Sequence, residues 1–322
     1  MNELDDDALS LDEALARLGD PDPAVRQLAA VSLGELCDPA ALGPLIGALS
    51  DADPTVRRVA VGALEELGDP RAVGPLVAAL GDASPAVRAA AKTALREFRT
   101  PESVPPLVAG LTHPDPEARA ASVFALRERT DARTIEPLRA ALGDADAGVR
   151  REVVTALGYL RERSAIADLT RATRDPDASV RRLALGALSF FGDAALLDVF
   201  VSALRDADWQ VRQEAAIVLG RAADSAAASA LIAALDDPYW QVVKEALLAL
   251  GKIGGIGHAP VLPLLTHSYS EIRKVAATTL GTIGALDTVD ALAALSQDED
   301  IEVRKAASRA LDDIALTGRT AR

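Results

Sequence analysis

An arginine recurs at intervals of 31 residues along this chain, and this period constrains the fold more than any other feature. The series skips one position at Val243 and then resumes. A constant period indicates an array of copied units, and such arrays fold as solenoids in which each unit packs on its neighbours. The arginines of the series are Arg26, Arg57, Arg88, Arg119, Arg150, Arg181, Arg212, Arg273 and Arg304.

Each unit is predicted to form two helices, as one copy illustrates. Asp38 followed by Pro39 is typical of a helix start, with a side-chain cap and a proline at the first helical position. Apolar residues then recur at helical spacing until Asp53 and Pro54 begin a second helix. Gly68 suits the left-handed residue that ends this helix. No segment alternates as a strand does, and ten second helices predict ten units.

Three marks of the unit resemble the HEAT-repeat family in its short phycobilisome-lyase-like form, over about Ala8 to Leu316. They are the periodic arginine, an aspartate six residues before it, and a proline inside the first helix, which should kink that helix. The prolines are Pro44, Pro75, Pro106, Pro137 and Pro260. The resemblance implies an all-α fold, an α-α superhelix (a HEAT-like solenoid) of about ten two-helix repeats.

The resemblance also implies that the aspartates and arginines form a ladder of hydrogen bonds along the stack. The ladder residues are Asp20, Arg26, Asp51, Arg57, Asp82, Arg88, Asp144, Arg150, Asp175, Arg181, Asp206, Arg212, Asp298 and Arg304. The chain departs from this pattern at His113 and His267, which replace the aspartate, and at Asp237/Val243, where the arginine is lost. We expect a weaker ladder at these places. One residue is missing around 251–259, which shortens one spacing to 30.

The composition is that of an acidic chain, and the repeats predict a single elongated domain over residues 1–322. Ten units stacked at ~10 Å would give a length on the order of 100 Å. The formal net charge is −14, which disfavours nucleic acid as a partner. Arginine exceeds lysine and aspartate exceeds glutamate. Either a GC-rich genome or adaptation to a salt-rich cytoplasm would produce that bias.

The ends and the cysteine content predict a cytoplasmic protein. The first ten residues lack the basic and apolar regions of a signal peptide, and no apolar run reaches membrane-spanning length. Cys37 is the single cysteine, so it cannot form an internal disulfide, which fits a reducing compartment. Ser10 and Glu13 form a predicted capping box. The first ten residues and Thr317–Arg322 are expected to be loose tails.

Chemistry-bearing motifs are nearly absent, so we predict no catalytic residue, no metal and no cofactor. His113 and His267 stand at the aspartate position of the turn, where a polar side chain can cap a helix. No cysteine–histidine spacing suits zinc. The glycine-rich segment 251–257 neither follows a strand nor ends in Gly-Lys-Ser/Thr, so we interpret it as a turn.

One face of the second helices changes character along the chain. In repeats one to four the tenth position after the opening valine is glutamate: Glu35, Glu66, Glu97 and Glu128. In HEAT solenoids this face lines the concave groove, so the groove is predicted to be acidic at first. In repeats five to nine it is predicted to be basic with apolar residues interleaved. The residues there are Arg151, Tyr159, Arg182, Phe190, Ile217, Arg221, Lys244, Leu248, Lys252 and Lys274.

A second cluster is aromatic and lies in the turns that enter the second helices. It comprises Trp209, Tyr239, Trp240 and Tyr269, with the two tryptophans one period apart. Two interpretations stay open. The aromatics are exposed binding anchors, or the tryptophans stack between neighbouring units.

The sequence favours a non-enzymatic scaffold that binds another protein through an acidic or amphipathic segment in the groove of repeats five to nine. The alternative without a binding function is that the basic residues there are only good helix formers on an exposed face. A second function class is an enzyme subunit, because proteins that resemble this repeat include lyases that attach or remove bilin chromophores. A third, disfavoured by the acidity, is nucleic-acid binding.

Overall fold

The computed structural model describes residues 9–129, 131–284 and 286–320, with side chains described up to residue 316. Every regular element in these ranges is a helix. By proximity of their Cα atoms the residues fall into two compact units, Met1–Ala165 and Ile166–Arg322. The prediction of a single domain stays a prediction.

The first unit holds ten α-helices. They are α1 (Leu11–Arg17), α2 (Pro23–Leu36), α3 (Leu42–Ala48), α4 (Pro54–Leu67), α5 (Val73–Ala79), α6 (Pro85–Glu97), α7 (Val104–Gly110), α8 (Pro116–Arg127), α9 (Ile135–Ala141) and α10 (Ala147–Leu160).

The second unit holds nine. They are α11 (Ile166–Ala172), α12 (Ala178–Ser189), α13 (Leu197–Ala203), α14 (Trp209–Ala222), α15 (Ala228–Ala233), α16 (Trp240–Ile253), α17 (Ser270–Ile283), α18 (Val289–Ala294) and α19 (Ile301–Thr320). The described residues thus contain ten second helices, which start at the predicted period and confirm ten repeats. The second helices are α2, α4, α6, α8, α10, α12, α14, α16, α17 and α19.

Caps place the helix starts where the sequence predicts them. Ser10 and Glu13 form the predicted capping box on α1. Asp53 accepts hydrogen bonds from the backbone N–H groups of the first turn of α4, which satisfies donors that have no partner inside the helix. Gly68 ends α4 with a positive φ of 65°, a conformation that costs a glycine little.

Most first helices have two parts. A three-residue 3-10 turn comes first and the α-helix follows, as in Pro39–Ala41 and α3. Pro44 is the third residue of α3, so its missing N–H falls in the first turn, where the helix leaves donors free anyway. The other 3-10 turns at this place are Pro70–Ala72, Pro101–Ser103, Ala132–Thr134, Arg163–Ala165, Ala194–Leu196, Ser225–Ala227 and Leu286–Thr288.

Repeat nine departs from the prediction. Its first helix is reduced to a 3-10 helix, Leu262–Thr266, and Pro260 lies in the turn before it rather than inside a helix. The preceding residues 254–257 form no regular element, and Gly254 and Gly255 both have positive φ. Two consecutive residues in that conformation interrupt helical backbone, so α16 ends at Ile253.

The core of each repeat is made of aliphatic side chains from both helices. Leu45 of α3 and Val56, Ala60 and Leu64 of α4 are fully buried, as their helical spacing predicts. Neighbouring second helices approach closely where glycine faces alanine. A Cβ added at Gly34 would lie 2.9 Å from the Cα of Ala63 in the next repeat. Small side chains therefore set the spacing of the stack.

The ends of the chain were predicted to be loose tails. Residues 1–8 lie outside the described residues. At the other end α19 continues to Thr320, so the prediction of a loose tail is wrong for the backbone of 317–320. No proline follows the last repeat to stop the helix.

Candidate partner-binding surfaces

The periodic arginines join neighbouring repeats through a two-sided contact. Arg57 donates from Nε and Nη2 to the carboxylate of Asp82 in the next repeat, both at 2.8 Å. Its Nη1 donates to the carbonyl of Asp51 in its own repeat at 2.8 Å. The carboxylate of Asp82 also accepts the N–H of Ser84 at 2.7 Å, which holds the turn. Each rung therefore fixes both a turn and the step to the next repeat.

Six rungs of this kind are seen inside the two units, three in each. The pairs are Arg26–Asp51, Arg57–Asp82, Arg119–Asp144, Arg181–Asp206, Arg212–Asp237 and Arg273–Asp298. Asp20 and Arg304 stand at the two ends of the series, and among the described residues their hydrogen bonds lie within their own repeats. Arg26 binds the carbonyl of Asp20, and Arg304 that of Asp298.

The pairing runs from one repeat to the next, so the interruptions fall elsewhere than expected. Asp237 keeps its rung, because Arg212 of the preceding repeat donates to it at 2.6 and 3.0 Å. The expected weakening at Asp237 is therefore wrong. The lost partners are Val243 and His267, which occupy the two ends of one rung position, and Val243 is buried as an apolar residue. Because this rung lacks both the arginine and the aspartate, neither residue remains as a charge that has lost its partner.

The two turn histidines accept the backbone hydrogen bond that the aspartate accepts in other repeats, but within the described part of the chain neither binds an arginine of the preceding repeat. The Nδ1 of His113 accepts the N–H of Asp115 at 3.1 Å, and the Nδ1 of His267 accepts the N–H of Tyr269 at 3.1 Å. This agrees with their interpretation as turn residues. A neutral imidazole that accepts through Nδ1 has no second acceptor for an arginine. The Nε and Nη2 donors of Arg88, in the repeat before His113, therefore do not pair with a side chain at the aspartate position of the next repeat.

In the second unit, the second-helix face of repeats six to nine carries the predicted mixture of cations and apolar groups. Phe190 is 57% exposed and Leu248 is exposed, while Ile217 is half-buried. Arg182 and Lys244 are half-buried at the start of this face. Arg221 and Lys252 are exposed near its end.

Carboxylates that the sequence interpretation did not count lie among these cations. Glu271 accepts from Lys274 at 2.5 Å and lies 3.6 Å from Lys244. The hydrogen bond from Lys274 lowers the pKa of Glu271, and the charge of Lys244 adds to the effect. Glu214 is different, because burial raises its pKa against the opposing charges of Arg221 and Arg182.

A cavity of about 350 Å³ lies between repeats six and seven on the second unit. Its apolar wall includes Leu188, Leu197 and Phe200, and Arg221 stands in its lining. The Nη1 of Arg221 donates to the hydroxyl of Ser189 at 3.5 Å, which orients the guanidinium across the two repeats. The cavity is large enough for an aliphatic side chain, and the charged residues of its lining are Arg221, Asp193 and Asp224.

In the first unit, the face predicted to be acidic holds a cationic cluster as well. The ring of Phe124 has Lys92 at 5.3 Å, Arg96 at 5.4 Å and Arg127 at 4.3 Å from its centroid. Three cations around one ring are attracted by its negative face. The acidic half of the face is therefore interrupted in repeats three and four. Counting one helical position per repeat missed this, because the cations occupy other positions of the same face.

Arg151 and Tyr159 belong to the first unit. Tyr159 is exposed, and the guanidinium of Arg127 lies 5.8 Å from its ring centroid. Arg151 is half-buried near the start of the same helix, α10. That the two residues contact a partner stays a prediction.

The aromatic cluster forms pairs across repeats. Trp209 stacks on Tyr239 of the next repeat, with centroids 5.5 Å apart and planes 9° apart. Trp240 meets Tyr269 of the following repeat at 5.8 Å with a tilt of 32°. The tryptophans thus pair with tyrosines of the next repeat. Both tyrosines remain exposed, so a role as binding anchors stays a prediction.

In residues 9–129, 131–284 and 286–320, no three histidine, cysteine, aspartate or glutamate side chains form a group able to hold a metal ion. Within the same ranges, none of the helices has both the length and the apolar character needed to cross a membrane.

Helical hairpins joined by repeated Arg–Asp rungs define the class of α-solenoid repeat proteins. Within this class, the family model for HEAT repeats matches almost the whole chain, so the chain belongs to the HEAT-repeat family. The matched segments are 11–83, 73–151, 135–208, 197–270 and 258–321. The match is to HEAT repeats in general, and the phycobilisome-lyase-like form stays a prediction. Comparison with curated protein sequences finds no match.

Solved structures share the fold at low sequence identity. An engineered protein has a TM-score of 0.51 at 23% identity, with 95% of this chain and 98% of that chain covered. Kap95p, in a structure describing its binding to RanGDP, has a TM-score of 0.62 at 17% identity, covering 94% and 49%. Importin β has 0.65 at 15%, covering 94% and 52%. This chain spans about half the length of the last two, and such identities show the fold alone.

Proposed function

We propose that this chain is a non-enzymatic scaffold that binds an acidic, amphipathic segment of another protein on the second-helix face of repeats six to nine. The observation that carries the proposal is Phe190, an aromatic side chain 57% exposed at the end of α12 on a face that also carries cations. Large aromatic side chains at such positions are typical anchors of protein interfaces.

Charge complementarity supports an acidic partner. The face has five cations, Arg182, Arg221, Lys244, Lys252 and Lys274, and three carboxylates, Glu214, Glu245 and Glu271. It therefore has an excess of positive charge in a chain whose formal net charge is −14. A local excess opposite in sign to the whole chain steers an acidic segment to this place.

The cavity between repeats six and seven supports an amphipathic partner. Its apolar wall can receive one aliphatic or aromatic side chain, and Arg221 can pair with a carboxylate next to that side chain. Kap95p, which shares this fold and binds RanGDP, supports the same class of function. Only the class of function, binding of another protein, is proposed for the present chain.

A peptide-display selection against the full chain tests the proposal. Peptides that are enriched should be acidic and amphipathic, and should bind the unmodified chain. The double variant Arg182→Glu with Lys244→Glu should lose binding at least tenfold, because it reverses two charges on the face. A second variant, Phe190→Ser, should weaken the same peptides without changing charge.

The matched control is Arg174→Glu with Arg205→Glu. These exposed arginines lie in the turns after the first helices α11 and α13, so the double variant makes the same charge change away from the face. Selected peptides should bind this control as they bind the unmodified chain. The proposal fails if both double variants weaken binding equally, or if the folded Phe190→Ser and Arg182→Glu/Lys244→Glu proteins bind the peptides unchanged.

A further inference from the structure

Arg88 is a periodic arginine inside the series whose rung lacks the aspartate of the next repeat although the arginine itself is kept. The next repeat supplies His113 in place of aspartate, and the imidazole accepts the N–H of Asp115 instead. The side chain of Arg88 is 29% exposed, whereas the rung arginines are 10–16% exposed. The guanidinium that an aspartate covers in the six rungs is here only partly covered.

The donors of Arg88 are only half used. Its Nη1 donates to the carbonyls of Asp82 at 2.9 Å and Ala83 at 3.2 Å, as in every rung. The Nε lies 3.6 Å from a carboxylate oxygen of Glu117, which is beyond hydrogen-bonding distance, and Glu117 is 77% exposed. The fork formed by Nε and Nη2 is therefore positioned by the fold and matches a carboxylate in two-point geometry.

A crevice opens beside this fork. It has a volume of about 310 Å³ and lies between the second helices of repeats three and four, α6 and α8. Its lining combines Arg88 and Lys92 with the apolar side chains of Leu80, Ala89, Ala120 and Ala121. The three alanines leave room that longer side chains would fill. Glu117 also lines the crevice, so a ligand would meet an apolar wall, two cations and one exposed carboxylate.

Further cations lie close to the crevice. Lys92 also lies 5.3 Å from the ring of Phe124, which Arg96 and Arg127 approach from the same surface. The Nε of Arg127 is buried and has no hydrogen-bond partner among the described residues. The carboxylate near Arg88 belongs to Glu117, which is 77% exposed, so an incoming anion can displace it at little cost.

We propose that this crevice binds an aspartate or glutamate side chain of a peptide segment that has an aliphatic residue next to it. The ligand carboxylate takes the place that the ladder aspartate holds in the complete rungs and accepts from Nε and Nη2 of Arg88. The aliphatic neighbour covers Ala89, Ala120 and Ala121. A peptide, rather than a free small acid, is the fitting occupant because most of the lining is apolar and a simple carboxylate would leave it empty.

The site is formed by residues of the first unit alone. Its failure would leave the proposal for repeats six to nine untouched, and the reverse also holds. The two are distinguished by variants that share no residue.

The experiment titrates the full chain with acetyl-Leu-Asp-Leu-amide and follows the Nε–Hε signals of arginine by NMR. The signal of Arg88 should shift, and the matching acetyl-Leu-Asn-Leu-amide should bind at least tenfold more weakly, because a charged, two-point hydrogen bond is lost. Acetate should also bind at least tenfold more weakly than the aspartyl peptide, since it makes no apolar contact.

The decisive variant is His113→Asp, which restores the sequence of the complete rungs and so is expected to fold. It fills the fork of Arg88 from within the chain and should lower peptide affinity at least tenfold. The matched control is His267→Asp, where the preceding repeat has Val243 and therefore no fork to fill, and its affinity should equal that of the unmodified chain. Arg88→Gln should lose binding as His113→Asp does.

Three results would overturn the proposal. The first is an aspartyl peptide that leaves the Arg88 signal unshifted at millimolar concentration. The second is a folded His113→Asp protein that binds the peptide as tightly as the unmodified chain does. The third is acetate binding as tightly as the peptide, which would show a small-anion site in place of a peptide site.

Discussion

Arg181 and Asp206 are joined across two repeats by hydrogen bonds of 2.8 and 2.7 Å, and both side chains are at most 15% exposed. Asp206→Asn removes the charge and one acceptor while keeping the shape. We expect the free energy of unfolding to fall by about 2 kcal/mol, because hydrogen bonds to charged groups contribute about 1.5–3 kcal/mol. Urea unfolding measures the change. The control Asp198→Asn, at an exposed position on α13, should lie within about 0.5 kcal/mol of the unmodified chain.

The contribution of this rung should depend on pH in the acidic range. Burial opposes ionisation of Asp206, but the hydrogen bonds from Arg181 and the N–H of Asp208 outweigh it, so its pKa lies below the ordinary 3.8. A carboxylate with a lowered folded-state pKa stabilises the fold above its unfolded pKa and loses this effect as the pH falls through the folded value. The difference in unfolding free energy between the unmodified chain and Asp206→Asn should therefore be constant from pH 7 to about 5 and shrink below about 4. A difference that grows on acidification would contradict the assignment.

His113→Asp should stabilise the chain as well as close the proposed peptide site. The new carboxylate would meet the fork of Arg88 as Asp82 meets that of Arg57. We expect a gain of about 1 kcal/mol, the ordinary net value of a hydrogen-bonded contact. His267→Asp meets no arginine, because Val243 stands opposite, and should change stability by less than about 0.5 kcal/mol. Chemical denaturation of the two variants side by side makes the comparison. Equal gains in unfolding free energy for the two variants would mean that replacing the histidine, and not restoring the rung with Arg88, causes the stabilisation.

The stacked rings of Trp209 and Tyr239 should couple energetically. Their parallel planes at 5.5 Å predict a coupling free energy of about 0.5–1.5 kcal/mol. A double-mutant cycle with Trp209→Ala and Tyr239→Ala measures it. Trp209 and Tyr269 are two repeats apart and should show a coupling below about 0.5 kcal/mol in the same kind of cycle. Zero coupling in the stacked pair would indicate that the rings are held by their own repeats.

The repeat pattern predicts the fold almost completely. The caps at Asp53 and Gly68 follow from residue types whose physical chemistry is local, so the sequence alone places the helix boundaries. The direction of the ladder does not follow from spacing. Asp237 and Val243 are six residues apart in one repeat, yet the partner of Asp237 is Arg212 of the repeat before. The packing of one hairpin on the next decides which arginine pairs with each aspartate.

The charge of a face is harder to predict than the fold. Counting the tenth position assigned an acidic character to repeats three and four, while Arg96 and Arg127 reach the same surface from the ninth. Arg129 shows the same limit. It is buried and donates to the carbonyl of Leu95 in the preceding repeat at 2.8 Å. Burial, with the charge of Arg99, lowers its pKa to about 10. A long side chain can reach several neighbouring groups, and the spacing of residues in the sequence does not predict which of them it contacts.

Hydrogen–deuterium exchange of the full chain, with and without a peptide from the display selection, tests the proposed function most directly. A partner on the second-helix face should slow exchange in the segments that end α12, α14 and α16, which carry Phe190, Arg221 and Lys252. The first helices α11 and α15, which contribute no residue to the cavity between repeats six and seven, should be unchanged. Protection confined to the first helices, or to the turns that hold Trp209 and Trp240, would contradict the proposal.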